Sequence, residues 1–449
     1  MQINEMVNDW ILSINNFLWG WPLIIFFVVV ACIISVSLGF VQFRYFVTAW
    51  KLLLFPDGVK AGKKGDMTPF QAFLNALSTS LGNGSLGGMA TAIFSGGPGA
   101  ALWIFVFGLL GMAIRFCEVF LSTAFGVKHW GHSVIGGPMV YLSQIPGRSF
   151  LPYLYALFCL FLALTTGNAM QANTIRIGCS RIFGVESLVV AVILLVFMLY
   201  VMLGGAKRII AVSDKIVPIK VGVFFLSAFV VLGYHFSAII PSLVLIFKAA
   251  FTPQAVFGGV IGYSIQQAIR FGIARTLNAS EAGLGTAAVL FGGSASTEPT
   301  KDGIMSMLGC FISANLVCFS IALMIIASGV WNNGQTSLDL TISAYETVFG
   351  ASGGWIVTFL SVSFGLGVLV SYAYIARSCW LFLTQGKFIM AINIIYCLAT
   401  FFGAIAKVDL IWNMTDLINA VLLMVNLTGI LLLLPLIKIG LRDYEKHTA

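Results

Sequence analysis

"LSTSLGNGSLGG" occupies Leu77–Gly88 and interrupts a stretch, 69–96, that otherwise reads as a membrane-crossing helix. Gly82, Gly84, Gly87 and Gly88 are poor helix formers. Ser78, Thr79, Ser80, Asn83 and Ser85 add polar side chains. Each unpaired backbone group in hydrocarbon costs on the order of several kcal/mol, so non-helical backbone persists there only when buried in protein or lining a cavity. A break leaves free N–H groups at the start of one half-helix and free carbonyls at the end of the other. The first suits a carboxylate and the second a cation or an ammonium group. Together they suit a zwitterion such as an amino acid, and glycine lets the ligand approach the backbone. Close helix packing through small residues is the alternative. It fits Gly87 and Gly88 better than the polar run Ser78–Ser85.

The surrounding composition agrees with a membrane setting. Of 449 residues, 59% are hydrophobic and 9% charged, against about 25% charged in soluble domains. The apolar runs are too long for an outer-membrane barrel. Candidate spans, eleven in all, are 18–41, 69–96, 99–125, 150–176, 187–205, 216–235, 255–291, 303–328, 353–377, 387–406 and 411–437. The fold class is an all-α polytopic membrane protein forming a single transmembrane domain over 1–449. No signal-peptide pattern precedes the first span. With the N-terminus outside, the internal side receives Arg44, Lys51, Lys60, Lys63, Lys64, Lys128, Arg148, Lys207, Arg208, Lys215, Lys220, Lys301, Arg377, Lys387, Lys438, Arg442 and Lys446. Only Arg176, Arg181, Lys248 and Lys407 fall outside. This bias places the C-terminus in the cytoplasm, and a bacterial inner (plasma) membrane suits such short loops. The net charge of +8 is therefore a topology signal, not a nucleic-acid footprint.

A second span, 255–291, contains "RFGIARTLNASEAGLGTAA" and is as unlike a straight lipid-facing helix as the first. The two lie five spans apart. With 18–41 as an extra helix, they open two five-helix units, 69–235 and 255–437. An odd number of helices inverts the second unit, the pattern of inverted-repeat transporters with discontinuous helices. The external stretch Gly329–Gly354 lacks Lys and Arg and suits short helices over the outer mouth.

Several motifs resemble the alanine/glycine:cation symporters, the sodium:alanine symporter family. They are Gly65–Ser122, "GGPMVYL" (Gly136–Leu142), "GNAMQANTI" (Gly167–Ile175), "GGAKRIIAVSDKIVP" (Gly204–Pro218) and "RFGIARTLNASEAGLG" (Arg270–Gly285). The resemblance covers most of the chain in order. It implies a LeuT-type fold, one extra helix before a 5+5 core, and uptake of alanine, glycine or related small amino acids with sodium or a proton. Departures are visible. The family pattern GTGN is Gly82-Asn83-Gly84-Ser85 here, and RGLFSNEAGLG is RTLNASEAGLG. A pattern close to FAFTT is Phe364-Gly365-Leu366-Gly367-Val368. Threonine hydroxyls there would resemble sodium ligands; Gly367 and Val368 supply none, which leaves the coupling ion open.

The candidate substrate-binding residues are Asn75, Thr79, Gly82, Asn83, Gly84, Gln171, Asn278, Ala279, Ser280 and Tyr372. Gln171 follows Asn168 by three residues and shares its helix face. Candidate cation ligands are Leu81, Ser85, Ser361 and Ser363. Glu281 is an intramembrane carboxylate, rare and usually paired. Arg275 or Arg270 is its candidate partner, in a structural pair or a proton-carrying one. Arg115 and Glu118, three apart, form a structural pair on one helix face. Asp416 reads as solvated near the outer end of its span. His129 and His132 lack further ligands for a metal, and no P-loop, G-x-S-x-G or HExxH occurs. The expectation is a monomeric, non-enzymatic, secondary active symporter of small neutral amino acids such as alanine, glycine or D-alanine. It has no cofactor beyond Na+ or H+ as coupling ion, and only lipid around it. An uncoupled facilitator or channel for small polar solutes is the alternative.

Overall fold

The computed structural model describes residues 13–15, 17–55, 65–126, 128–130, 133–252, 265–294, 296–406 and 409–448. Lys60, Lys63, Lys64, Lys407, His132 and the first part of the 255–291 span lie outside them. Among the described residues the regular structure is helical apart from a short hairpin, β1 (Lys128–Trp130) against β2 (Ser133–Ile135).

The longer helices that build the bundle are, in chain order, α1 (Trp21–Ser37), α2 (Pro69–Ser80), α3 (Asn83–Gly96), α4 (Ala100–Ala124), α5 (Leu151–Phe183), α6 (Ser187–Leu203), α7 (Gly205–Tyr234) and α8 (Phe236–Phe251). There follow α9 (Ile265–Ser280), α10 (Thr286–Gly292), α11 (Pro299–Ala327), α12 (Ser337–Phe349), α13 (Ser352–Leu383), α14 (Ile389–Ile405) and α15 (Asp409–Thr448). Local chemistry sets several of these ends. The Thr68 hydroxyl accepts from the Gln71 N–H at 3.2 Å, and the Gln71 side chain accepts from the Thr68 N–H at 2.9 Å. This capping box, with Pro69 in the first turn, starts α2. Gly184 in the left-handed region (φ +64°) ends α5. A π-helical turn, Thr165–Ala169, lies within α5, and such turns recur at functional sites.

Among the described residues, six helices are long and apolar enough to cross a membrane: α4, α5, α7, α11, α13 and the Met414–His447 part of α15. α1, α6, α8 and α14 are shorter apolar helices. The expected span 69–96 is two helices, α2 and α3, separated by Leu81 and Gly82. The 255–291 region likewise divides into α9 and α10. Helix α8, with Pro241 inside it, occupies a stretch that the sequence reading treats as a connection. The bundle is apolar on its outside: Leu226, Phe229, Phe236 and Ile240 are each at least two-thirds exposed. A contiguous surface of this kind is expected of a lipid-facing wall. Inside, α4, α11 and α13 are mostly buried, and around them lie the polar side chains.

Candidate functional site

A cavity opens where the two broken helices meet. The first break lines it with Thr79, Ser80, Gly82, Gly84 and Ser85, and the second with Arg275, Asn278 and Glu281. Helix α5 adds Thr166, Met170 and Gln171 from its π turn and just beyond, α13 adds Val368 and Tyr372, and α15 adds Thr415 and Asp416.

Each break is held by specific partners. At the second, Arg115 of α4 donates to the Ser280 carbonyl, the last of α9. Glu118 Oε1 accepts the N–H groups of Gly283 and Gly285, both at 2.9 Å, and the Asn426 amide at 2.8 Å. A cation thus meets a helix C-terminus and an anion meets the approach to a helix N-terminus, as the helix dipoles favour. Arg115 and Glu118 also pair at 3.9 Å. Turning the chain here takes left-handed backbone at Glu281 (φ +53°), Gly283 (φ +95°) and Gly285 (φ +79°). For a non-glycine residue such as Glu281 that conformation costs roughly 1–2 kcal/mol.

The Glu281 side chain makes up for that cost. Its Oε2 accepts the hydroxyls of Thr79 (2.8 Å) and Thr286 (2.6 Å), and its Oε1 that of Tyr372 (2.6 Å). One buried carboxylate therefore ties together α2, α10 and α13. Tyr372 reaches it across Gly167, where a Cβ would stand 2.2 Å from the Tyr372 Cγ.

At the first break the backbone leaves the helix at Leu81 and is extended at Gly82. Gln171 Oε1 accepts from the Asn83 N–H (3.3 Å) and its side-chain amide (3.1 Å), capping the start of α3. The carbonyl end belongs to Lys220 of α7. Its ammonium donates to the carbonyls of Leu81 (2.9 Å) and Ser78 (3.1 Å) and to the Ser78 hydroxyl (3.2 Å). The sequence reading places Lys220 on the internal side as a topology charge. It is instead fully buried, and the clue was a lone lysine inside the apolar run after Pro218.

Of the expected site residues, Thr79, Gly82, Gly84, Ser85, Gln171, Arg275, Asn278, Glu281 and Tyr372 converge on the cavity. Others are engaged elsewhere. Asn75 donates to the Gln71 carbonyl and accepts from Ser371. Asn83 lines a second cavity, and Ala279 is buried outside the first. The Ser280 hydroxyl donates to the Thr276 carbonyl. The candidate cation ligands Leu81, Ser85, Ser361 and Ser363 each have a hydrogen-bond partner within the protein. The Leu81 carbonyl accepts from Lys220, and Ser85 donates to the Ser80 carbonyl at 3.3 Å. Ser361 donates to Asn83 Oδ1 and Ser363 to the Phe359 carbonyl, both at 2.7 Å. No ion pair joins Glu281 to Arg275 among the described residues; the acidic group acting on Arg275 is Asp416. Asp416, expected in solvent, lines the cavity instead. Arg275 also borders the second cavity, with Gly87, Gly88 and Ser337.

Broken apolar helices whose ends converge on a small, charged, buried cavity define a multi-pass membrane transporter. The sodium:alanine symporter family model matches residues 4–449, and this chain belongs to that family. The family is one of transporters, not enzymes. An uncharacterized transporter of Haemophilus influenzae is 31% identical over 96% of this chain and 95% of its own length. The sodium/alanine symporter AgcS of Methanococcus maripaludis is 31% identical over 94% of this chain and 93% of its own. The amino-acid carrier protein AlsT of Bacillus subtilis is 30% identical over 96% and 91%.

Proposed function

We propose that this chain is a cation-coupled symporter of small neutral amino acids such as alanine, glycine or D-alanine. The cavity between the breaks carries the proposal, because it offers complementary ends to a zwitterion. The start of α3 at Gly82–Asn83 and the Arg275 guanidinium present positive potential to a carboxylate. Glu281 and Asp416 present negative charge to an ammonium group. Three hydroxyls occupy Glu281, which leaves acceptor capacity on a carboxylate with about four lone-pair sites. Val368 closes the cavity at Gly82, where an added Cβ would stand 2.8 Å from its Cγ2, and this disfavours a large side chain. The name of the Methanococcus relative agrees with alanine as a member of the substrate class.

The same reading takes the chain as a single domain with a LeuT-type core. It has an extra helix at 18–41, a first repeat at 69–235 and an inverted second at 255–437. It further takes the N-terminus as outside and the C-terminus as cytoplasmic in a bacterial inner membrane, with the monomer as the working unit. Alternating access would move α2–α3 and α9–α10 against the remaining helices. The test is counterflow of labelled alanine in proteoliposomes, with unlabelled glycine, D-alanine, serine and glutamine as competitors. Competition confined to small neutral amino acids supports the proposal. Competition by none of them, or no counterflow, removes it.

A further inference from the structure

The two breaks are capped at their carbonyl ends by different basic residues, and the lysine at the first has consequences for ion coupling. The Lys220 ammonium has three N–H donors, and three oxygens receive them: Ser78 O, Ser78 Oγ and Leu81 O. The Phe364 ring lies 5.5 Å from Nζ. On the α13 side the contact is Gly367. A Cβ there would stand 2.6 Å from Lys220 Nζ and 2.8 Å from Ser78 Oγ. A side chain at position 367 would therefore have to displace the Lys220 ammonium and the Ser78 hydroxyl from these positions.

A sodium ion does not fit between these groups. The α2 carbonyls that would face it already hold a positive charge. Gly367 and Val368 bring no side-chain oxygen. The nearby hydroxyls of α13 are engaged, Ser361 with Asn83 and Ser371 with Asn75 and Ser213. A second cation in the same oxygen cage would meet direct repulsion in a setting of low dielectric.

We propose that Lys220 is a built-in replacement for the coupling cation at this position, and that proton exchange on its nitrogen, rather than sodium binding, couples transport to the gradient. The proposal rests on the symporter reading above. In the outward-facing state the neutral amine takes a proton from external water. The resulting ammonium holds the carbonyl end of the first break in the shape that completes the cavity. In the inward-facing state the ammonium gives that proton to cytoplasmic water, the oxygen cage loses one of its three N–H donors together with the positive charge, and the break relaxes. Only an N–H bond forms and breaks, and one proton enters per cycle. The groups facing Lys220 are few. Helix α2 contributes Ser78 and Leu81, with no titratable side chain, and α13 contributes Phe364 and Gly367. The carboxylate acting on it is Glu281. Tyr372 bonds that carboxylate, and Tyr345 of α12 bonds Ser227, further along α7.

The test compares wild-type full-length protein with Lys220→Arg and with Lys220→Met combined with Gly367→Thr. Alanine accumulation is measured under an inward proton gradient or an inward sodium gradient. Wild type is expected to accumulate alanine with the proton gradient, and replacing sodium by choline should change uptake by less than about twofold. Lys220→Arg keeps a cation that does not release its proton, and should lose proton-driven accumulation by about tenfold or more. The double variant should become sodium-dependent. Wild-type accumulation that requires sodium and ignores the proton gradient overturns the proposal. Thermal stability of purified wild type in sodium against choline decides the assignment without any substrate. Equal stability supports it, and saturable stabilisation by sodium contradicts it. Alanine counterflow failing while this comparison shows equal stability would sink the substrate reading and leave Lys220 as the resident cation.

Discussion

Replacing Glu118 by Gln tests how the second break is held. Glu118 Oε1 accepts two backbone N–H groups at 2.9 Å, from Gly283 and Gly285, in the turn between α9 and α10. Hydrogen bonds to a charged group contribute about 1.5–3 kcal/mol and neutral ones about 0.5–1.5. Converting two of them from charged to neutral therefore weakens the turn by about 2–3 kcal/mol. The Arg115 guanidinium, 3.9 Å from Glu118, also loses its counter-charge inside the bundle; breaking a buried pair from one side can cost about 3–5 kcal/mol, of which the long separation delivers a lower share. A total of about 3 kcal/mol corresponds to roughly 100-fold in a local opening equilibrium. Hydrogen–deuterium exchange of the peptide covering Ser280–Thr286 in detergent-solubilised protein reads that opening. The expected result is exchange about 100-fold faster than wild type at these amides, with slower change in α4. Adding Arg115→Met should recover part of the loss, because the orphaned charge is then gone. Unchanged exchange in Glu118→Gln would refute the assignment of Glu118 as the cap of this break.

Three further outcomes follow from the cavity. Tyr372→Phe removes one of three donors to Glu281, about 1.5–3 kcal/mol, and initial alanine uptake at limiting substrate should fall by about tenfold or more. Gly167→Ala places a Cβ 2.2 Å from the Tyr372 ring, so uptake should fall at least as far as in Tyr372→Phe, measured side by side. Gly84→Ala meets no atom within 4 Å and lines the cavity. It should fold as wild type by size-exclusion profile, and raise KM for alanine more than for glycine.

The places where the sequence argues against itself are where the structure departs from plain helices. Ser, Asn and Gly inside apolar spans contradict their solvent, and both such stretches are breaks. Spacing was equally legible for Arg115 and Glu118. Three residues apart, they share a helix face, though what they serve, the two ends of the second break, is not contained in their spacing. Glu281 stood out as a charge in hydrocarbon. Its partners did not, because Thr79 and Tyr372 arrive from α2 and α13, and local charge pairing favoured Arg275 instead. Lys220 was hidden by a rule that works for loops. A lysine near a span boundary counts toward topology unless the helix starts earlier, and α7 starts at Gly205 and runs through Pro218. Asn75, Ser361 and Ser363 show the converse, polar side chains whose partners lie within the bundle. A hydroxyl or amide in a span has helix carbonyls and neighbouring helices as ready partners, and which one it takes depends on helix rotation that periodicity alone does not resolve.

The most direct measurement of the account is the steady-state accumulation ratio of labelled alanine in proteoliposomes carrying the wild-type chain under an imposed cation gradient, before and after that gradient is collapsed with an ionophore. A coupled symporter built around this cavity predicts internal alanine above the external concentration, falling to equality on collapse. Equilibration to a ratio of one from the outset would show an uncoupled facilitator and contradict it.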